Sequence, residues 1–189
     1  MARFKVVYDA CVLYPAPLRD ALMRQALTGL YRARWTDAIH EEWMRNLLAN
    51  RPDLSRVQLE RTRELMNRHV EDALVDGYQY LIPSLSLPDP NDRHVLAAAI
   101  HSHASVIVTF NLKDFPAVSL EPYEIEAQHP DEFLAHLLDL NAAATLAAFA
   151  QHRQSLKHPP KTVSEYLDIL QRQGLPATTR LLKPLAAAL

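Results

Sequence analysis

Two short apolar runs interrupt a chain that is otherwise patterned for helices. Residues 4–8, Phe-Lys-Val-Val-Tyr, read as a strand that ends at Asp9. Residues 105–110, built around Val106-Ile107-Val108, read as a second buried strand. Between them, Leu18, Leu22, Ala26, Leu27 and Leu30 recur at helical spacing over 17–31. Thr36 or Asp37 can cap the next helix, which buries Ile39, Trp43 and Leu47 and breaks at Asn50-Arg51-Pro52-Asp53. Ser55 to about Val75 predicts another amphipathic helix, ended by Gly77. Tyr78–Ile82 reads as a short strand, 83–90 as a proline-rich loop, and 89–103 as a helix with an alanine-rich face. Leu112–Phe115 is a turn closed by Pro116, and 123–127 reads as the last strand.

This alternation of strands and helices predicts a three-layer α/β domain with a mostly parallel central sheet. Beyond Pro130 no strand pattern occurs. A helix over about 131–152, a linker at 157–161 and two short helices at 163–173 and about 177–188 are expected. The chain thus divides into an α/β domain over 1–129 and a C-terminal helical extension over 130–189.

Composition narrows the class. Apolar residues make up 49% of the 189, enough for a sizeable core. A single cysteine, Cys11, excludes a disulfide framework and any multi-cysteine zinc site, and suits a reducing cytoplasm. No stretch approaches the roughly 20 apolar residues that span a bilayer, and Met-Ala-Arg-Phe-Lys leads straight into a strand, so a soluble cytoplasmic protein is expected. Three glycines, none in a phosphate-cradling loop, exclude the P-loop and the dinucleotide fingerprint. The nine histidines form no His-x-x-x-His pair; His94 and His101 read as surface residues, and Cys11 as structural.

Net charge is −2, but its distribution is uneven. Ten of the fifteen arginines fall between Arg19 and Arg68, beside seven acids. They read either as solvated helix faces laced with i,i+4 pairs or as a guanidinium rim for phosphates.

Four separated acids carry the chemistry. Asp9 follows the first strand, Glu42 lies on the helix after it, Asp92 opens the alanine-rich helix, and Asp114 follows the second buried strand. In a parallel sheet the C-terminal strand ends share one edge, where α/β folds bind ligands. Carboxylates gathered there repel one another unless a hard divalent cation neutralises them, which points to Mg²⁺ or Mn²⁺. Each acid also has a bland reading. Asp9 could be a turn residue, and Glu42 a solvated one. Asp89, Pro90 and Asp92 make a well-formed helix start. Asn111 could cap a polar turn. Glu41 is spaced to pair with Arg45, which leaves Glu42, beside the buried stripe, as the inward acid.

The segments Val-Val-Tyr-Asp9-Ala-Cys-Val-Leu, Ile39-His-Glu-Glu42-Trp, Leu-Pro-Asp89-Pro-Asn-Asp92-Arg-His-Val-Leu-Ala-Ala-Ala and Val-Thr109-Phe-Asn111-Leu-Lys-Asp114-Phe, in this order, resemble the PIN domain. That nuclease fold is shared by VapC-type bacterial toxins. The resemblance covers about residues 3–129, and the tail resembles the extension of a longer subgroup; Cys11 stands where the family commonly has Asn or Ser. The resemblance implies a metal-dependent endoribonuclease that hydrolyses RNA with an activated water, often inhibited by a cognate antitoxin, and a homodimer is compatible with it. Asp9, Glu42, Asp92 and Asp114 would then hold Mg²⁺ or Mn²⁺, with Asp89 in reserve. Thr109 and Asn111 could position water, and Tyr14, Arg45 and Arg93 could engage substrate phosphates. Two alternatives stand beside it. A non-catalytic or housekeeping RNA-binding or processing module of the same fold would be expected to lose an acid, whereas the set here is complete. A phosphatase-like hydrolase would need an Asp-x-Asp pair, which Asp9-Ala10-Cys11 lacks.

Overall fold

Parallel pairing of four short strands places all four C-terminal strand ends on one edge. The computed structural model describes residues 4–189. In chain order its elements are β1 (Lys5–Tyr8), α1 (Ala10–Leu13), α2 (Ala16–Ala26), β2 (Arg32–Arg34), α3 (Asp37–Asn50), α4 (Arg56–His69), α5 (Arg93–Ser102), β3 (Val106–Val108), α6 (Ala117–Leu120), β4 (Glu126–Gln128), α7 (Pro130–Leu140), α8 (Ala142–Ser155), α9 (Val163–Arg172) and α10 (Pro176–Leu182). Short 3-10 turns cover Gln79–Ser84, Pro90–Asp92, Leu112–Asp114, Glu121–Tyr123 and Lys183–Ala188. No helix among the described residues is long and apolar enough to cross a membrane.

The chain forms two compact units, one of residues 1–14 and 31–129, the other of 15–30 and 130–189. The first is the three-layer α/β fold. Its sheet has the order β2-β1-β3-β4 and is parallel throughout, with Val7 opposite Arg34 and Ile107, and Ile107 opposite Ala127. Val6, Val7, Tyr8, Ile107 and Val108 are buried, as strands covered on both faces require. α5 packs on β1 and β3 through Val95 and Ala97–Ala99, all at 0% exposure. Alanine there lets the helix backbone approach the sheet.

The second unit is helical. α2 packs on α8 and α9, and α10 packs on α7 and α9. The buried Asp131 receives the backbone N–H groups of Ala177 and Thr178 at 2.8 and 2.7 Å, so it caps α10 from a distant element. Gln25 on α2 donates to the Thr145 carbonyl on α8 at 3.1 Å.

Several expected elements fold differently. β2 had no sequence signal, because Arg32-Ala33-Arg34 is short and arginine-flanked. Tyr78–Ile82 is a 3-10 turn rather than a strand: Pro83 lies within it, and it packs on α5. The helix from Ser55 stops at His69 rather than Val75. The helix expected from Asp89 opens as a 3-10 turn and becomes α-helical at Arg93. The expected helix over 131–152 is two, because the Asn141 side chain accepts from the Ala144 N–H and starts α8 afresh.

Candidate active site

From the C-terminal ends of β1 and β3 the chain departs in opposite directions across the sheet, so the switch point lies between Asp9 and Thr109. The Asp9 N–H donates to the Val108 carbonyl at 3.1 Å, which ties the two ends together. The Asp9 side chain then caps α1, its Oδ1 accepting from the Ala10 N–H at 2.7 Å. Its Oδ2 accepts from the Thr109 hydroxyl at 2.7 Å and the Cys11 thiol at 3.1 Å. Two donors fill the lone-pair directions of Oδ2 and one remains open on Oδ1. Asp9 is only 3% exposed. Burial pushes its carboxyl above the usual carboxylate range; the Thr109 and Cys11 bonds oppose that rise, and the Glu42 charge adds to it.

α3 leaves the same edge from β2. Thr36 caps it, accepting from the Ile39 N–H at 3.0 Å. Along α3 the two adjacent glutamates separate. Glu41 faces outward and takes a bidentate pair from Arg56, at 2.8 and 2.6 Å. Glu42, with its side chain 30% exposed, lies on the side of the strand ends, 3.3 Å from His94 Nε2.

Asp92 closes the 3-10 turn that opens α5. Its carboxyl is pushed up to about 7, first by burial and then by the charges of Asp9, Asp89, Glu42 and Asp114. All five carboxylates therefore share one electrostatic neighbourhood. Asp89 also caps its own turn, accepting from the Asn91 N–H at 2.8 Å. Asp114 is half-buried at the end of the turn that follows β3.

The remaining candidates are placed less centrally. The Thr109 hydroxyl is occupied, donating to Asp9 and accepting from the Asn111 N–H at 3.0 Å, so it orients a carboxylate rather than a water. Asn111 is exposed and its side chain caps nothing. Arg93 donates to the Pro90 carbonyl at 2.9 Å. Arg45 is exposed on α3, where its charge lowers the Glu41 carboxyl behind the larger effect of Arg56. Tyr14, at the C-terminal end of α1, lies near Arg51. Three of the ten arginines in the arginine-rich span are engaged by structure: Arg51 pairs with Asp53, Arg56 with Glu41 and Glu60, and Arg34 is buried against the Asp72 carbonyl.

Two neighbours of the acids escaped the sequence reading. His94 is not a surface residue; its side chain is 17% exposed and faces Glu42, and its Nδ1 is buried without a hydrogen-bond partner. The available signal was its place in the first turn of α5, two residues beyond Asp92. Cys11 is a direct partner of Asp9 and accepts from the Phe110 N–H at 3.3 Å. Burial and the Asp9 charge push its thiol up to about 12, so it serves as a neutral donor and not as a nucleophile.

Among the described residues no three His, Cys, Asp or Glu side chains stand ready to chelate an ion. The cluster nonetheless fits a hard divalent cation by charge and by its oxygen donors, since relief of mutual repulsion at Asp92 is what such an ion supplies.

The class follows from comparison with known sequences. The PIN domain family matches residues 5–113, and the chain belongs to it. The VapC50 C-terminal domain matches residues 130–184. A relative from Mycobacterium tuberculosis strain H37Rv, "Putative ribonuclease VapC50", is 46% identical over 101 residues, which are 53% of this chain and 59% of that protein. The match thus spans less than two thirds of the relative. No solved structure matches the chain.

Proposed function

We propose that the protein is an endoribonuclease of the VapC type, dependent on Mg²⁺ or Mn²⁺, and the toxin of a toxin–antitoxin pair. The observation that carries this reading is the match of residues 5–113 to the PIN domain, together with Asp9 held at the C-terminal strand end by Thr109, Cys11 and the Ala10 N–H and with Asp9, Asp89, Glu42 and Asp114 all acting on the charge of Asp92. Asp9, Glu42, Asp92 and Asp114 would hold the cation, with Asp89 in reserve. When bound, the cation supplies positive charge against the charge that develops on the phosphodiester oxygens. Thr109, Cys11 and the Ala10 N–H hold Asp9 in one orientation before any ligand arrives. His94 steadies Glu42. The family match and the relative's name support RNA as substrate, and an antitoxin would neutralise the acidic cleft by bringing an Arg or Lys to it.

The test is direct. Purified partner-free protein is incubated with total RNA and Mn²⁺, and the cuts are mapped. Cleavage should stop with EDTA, return with Mn²⁺ or Mg²⁺, and fall at least a hundredfold in Asp9→Asn, which removes ligand charge at nearly constant shape. Wild-type cleavage rates in that variant would sink the proposal. Overexpression should be toxic and be relieved by Asp9→Asn or by co-expression of a small partner protein. If overexpression is harmless and no partner co-purifies, the toxin role gives way to a housekeeping RNA-processing one.

A further inference from the structure

Phe110 sits where a core residue is not needed. It follows Thr109, whose hydroxyl holds Asp9, and its backbone N–H is anchored on the Cys11 thiol. The ring is only partly buried, while Phe115, further along the same loop, is 2% exposed and belongs to the core. His129, directly after β4, meets the Phe110 ring edge-on, with centroids 5.1 Å apart at 72°. The Phe110 ring thus has one aromatic partner at a steep angle and part of its surface open to solvent, and Asn111, Leu112 and Lys113 on the following turn are exposed, Leu112 at 40%. Neighbouring strands lie about 4.8 Å apart, so the backbones of Phe110 and His129, which directly follow β3 and β4, come within roughly 10 Å of the backbone of Asp9 at the end of β1. That is the reach of a nucleotide or two.

Single-stranded nucleic acid is held by aromatic faces that take bases and by cations that take the backbone. We propose that Phe110, supported by His129, is the platform on which a base of single-stranded RNA stacks next to the scissile phosphate, with Lys113 meeting the backbone beyond it. The proposal rests on the endoribonuclease reading and assigns it a substrate-positioning residue. Stacking selects for an unpaired base and tolerates sequence, so the platform favours single strands, purines above pyrimidines, over duplex. Phe110 does not touch the reacting atoms; it sets which phosphate lies over the carboxylates.

The test uses the full chain. Trp35 and Trp43 are both at 0% exposure, so an RNA ligand does not contact them, and contact quenching reports on a tryptophan at position 110 against their constant background. In EDTA, ten-nucleotide oligo-A and oligo-U should quench the fluorescence of Phe110→Trp, oligo-A more, while a duplex of the same length leaves it unchanged. In Mn²⁺, Phe110→Leu keeps the apolar bulk but loses the aromatic face, and should raise KM for these oligonucleotides about fivefold to a hundredfold with little change in kcat. Phe110→Trp should restore KM. Thermal melting of each variant separates a folding defect from lost stacking. Asp9-dependent cleavage with unaltered KM in Phe110→Leu overturns the platform and leaves the nuclease reading intact. So does unchanged Phe110→Trp fluorescence when filter binding shows the RNA bound. If the wild-type protein neither binds nor cuts RNA, the nuclease reading falls and the platform with it.

Discussion

At the scale of single residues, the Asp9 carboxylate depends on neighbours that sequence spacing does not reveal. Thr109 is a hundred positions away, and its hydroxyl bond shortens to 2.7 Å only because β3 pairs with β1. Thr109→Val keeps the shape and removes the donor. It should cost about 1–3 kcal/mol in urea unfolding and weaken Mn²⁺ binding about tenfold to a hundredfold, with Thr109→Ser restoring both; unchanged Mn²⁺ affinity in the valine variant would exclude an orienting role. Asp92 gives a pH signature. Its folded-state carboxyl, at about 7, lies above the ordinary value of 3.8, so the folded state binds the proton more tightly. The resulting stability is fully present below about pH 4 and is lost as pH rises through 7. In EDTA, unfolding free energy should therefore decline across that window, and Asp92→Asn should flatten the decline. An equal slope in the variant would assign the effect elsewhere. Glu41 and Glu42 show the same dependence on place: adjacent on one helix, one is committed to Arg56 and the other shares its field with Asp92.

At the scale of elements, side-chain caps decide where helices begin. Thr36, Ser55, Asn141 and Thr162 each accept a backbone N–H at a helix start, and three of these four helices follow polar residues that the sequence marks plainly. Asn141 was obscured because apolar helical spacing continues across it. α10 differs, since its cap is Asp131 on α7 and not a residue of its own segment. Asp131→Ala should lower stability by about 2 kcal/mol, because one buried and one part-buried N–H group lose a charged acceptor, and hydrogen exchange should quicken first in α10. Uniform protection of α10 in the variant would mean that the cap is not what holds that helix. β2 was illegible for a different reason: three residues with an arginine at each end carry no alternation, and only the partner β1 defines them as a strand.

At the scale of the whole molecule, chain order and compact unit do not coincide. Residues 15–30 lie between β1 and β2 in sequence yet group with 130–189. The amphipathic pattern of 17–31 announces a helix but names no partner, and its contacts with α8 and α9 exist only in the folded chain. The acidic cluster has a global consequence as well. A cation that binds only the folded state stabilises it by mass action, about 2.7 kcal/mol at a hundred times Kd. Mn²⁺ or Mg²⁺ should raise the melting temperature of the wild type and leave that of the Asp9→Asn, Asp92→Asn double variant nearly unchanged; an equal rise in both would place the ion elsewhere.

By itself the sequence determined the fold class, because apolar runs, helical periodicity and turn residues act over a few positions and leave their mark locally. It also determined which residue types the strand ends carry, since Asp9 and Thr109 simply follow their buried runs. The tertiary structure decided which acids act on the charge of Asp92, that Glu41 pairs with Arg56 while Glu42 faces His94, and that Cys11 and Thr109 share one carboxylate oxygen. Those outcomes depend on strand order and helix rotation. Both are set by packing between segments far apart in the chain, where local pattern holds no information about distance.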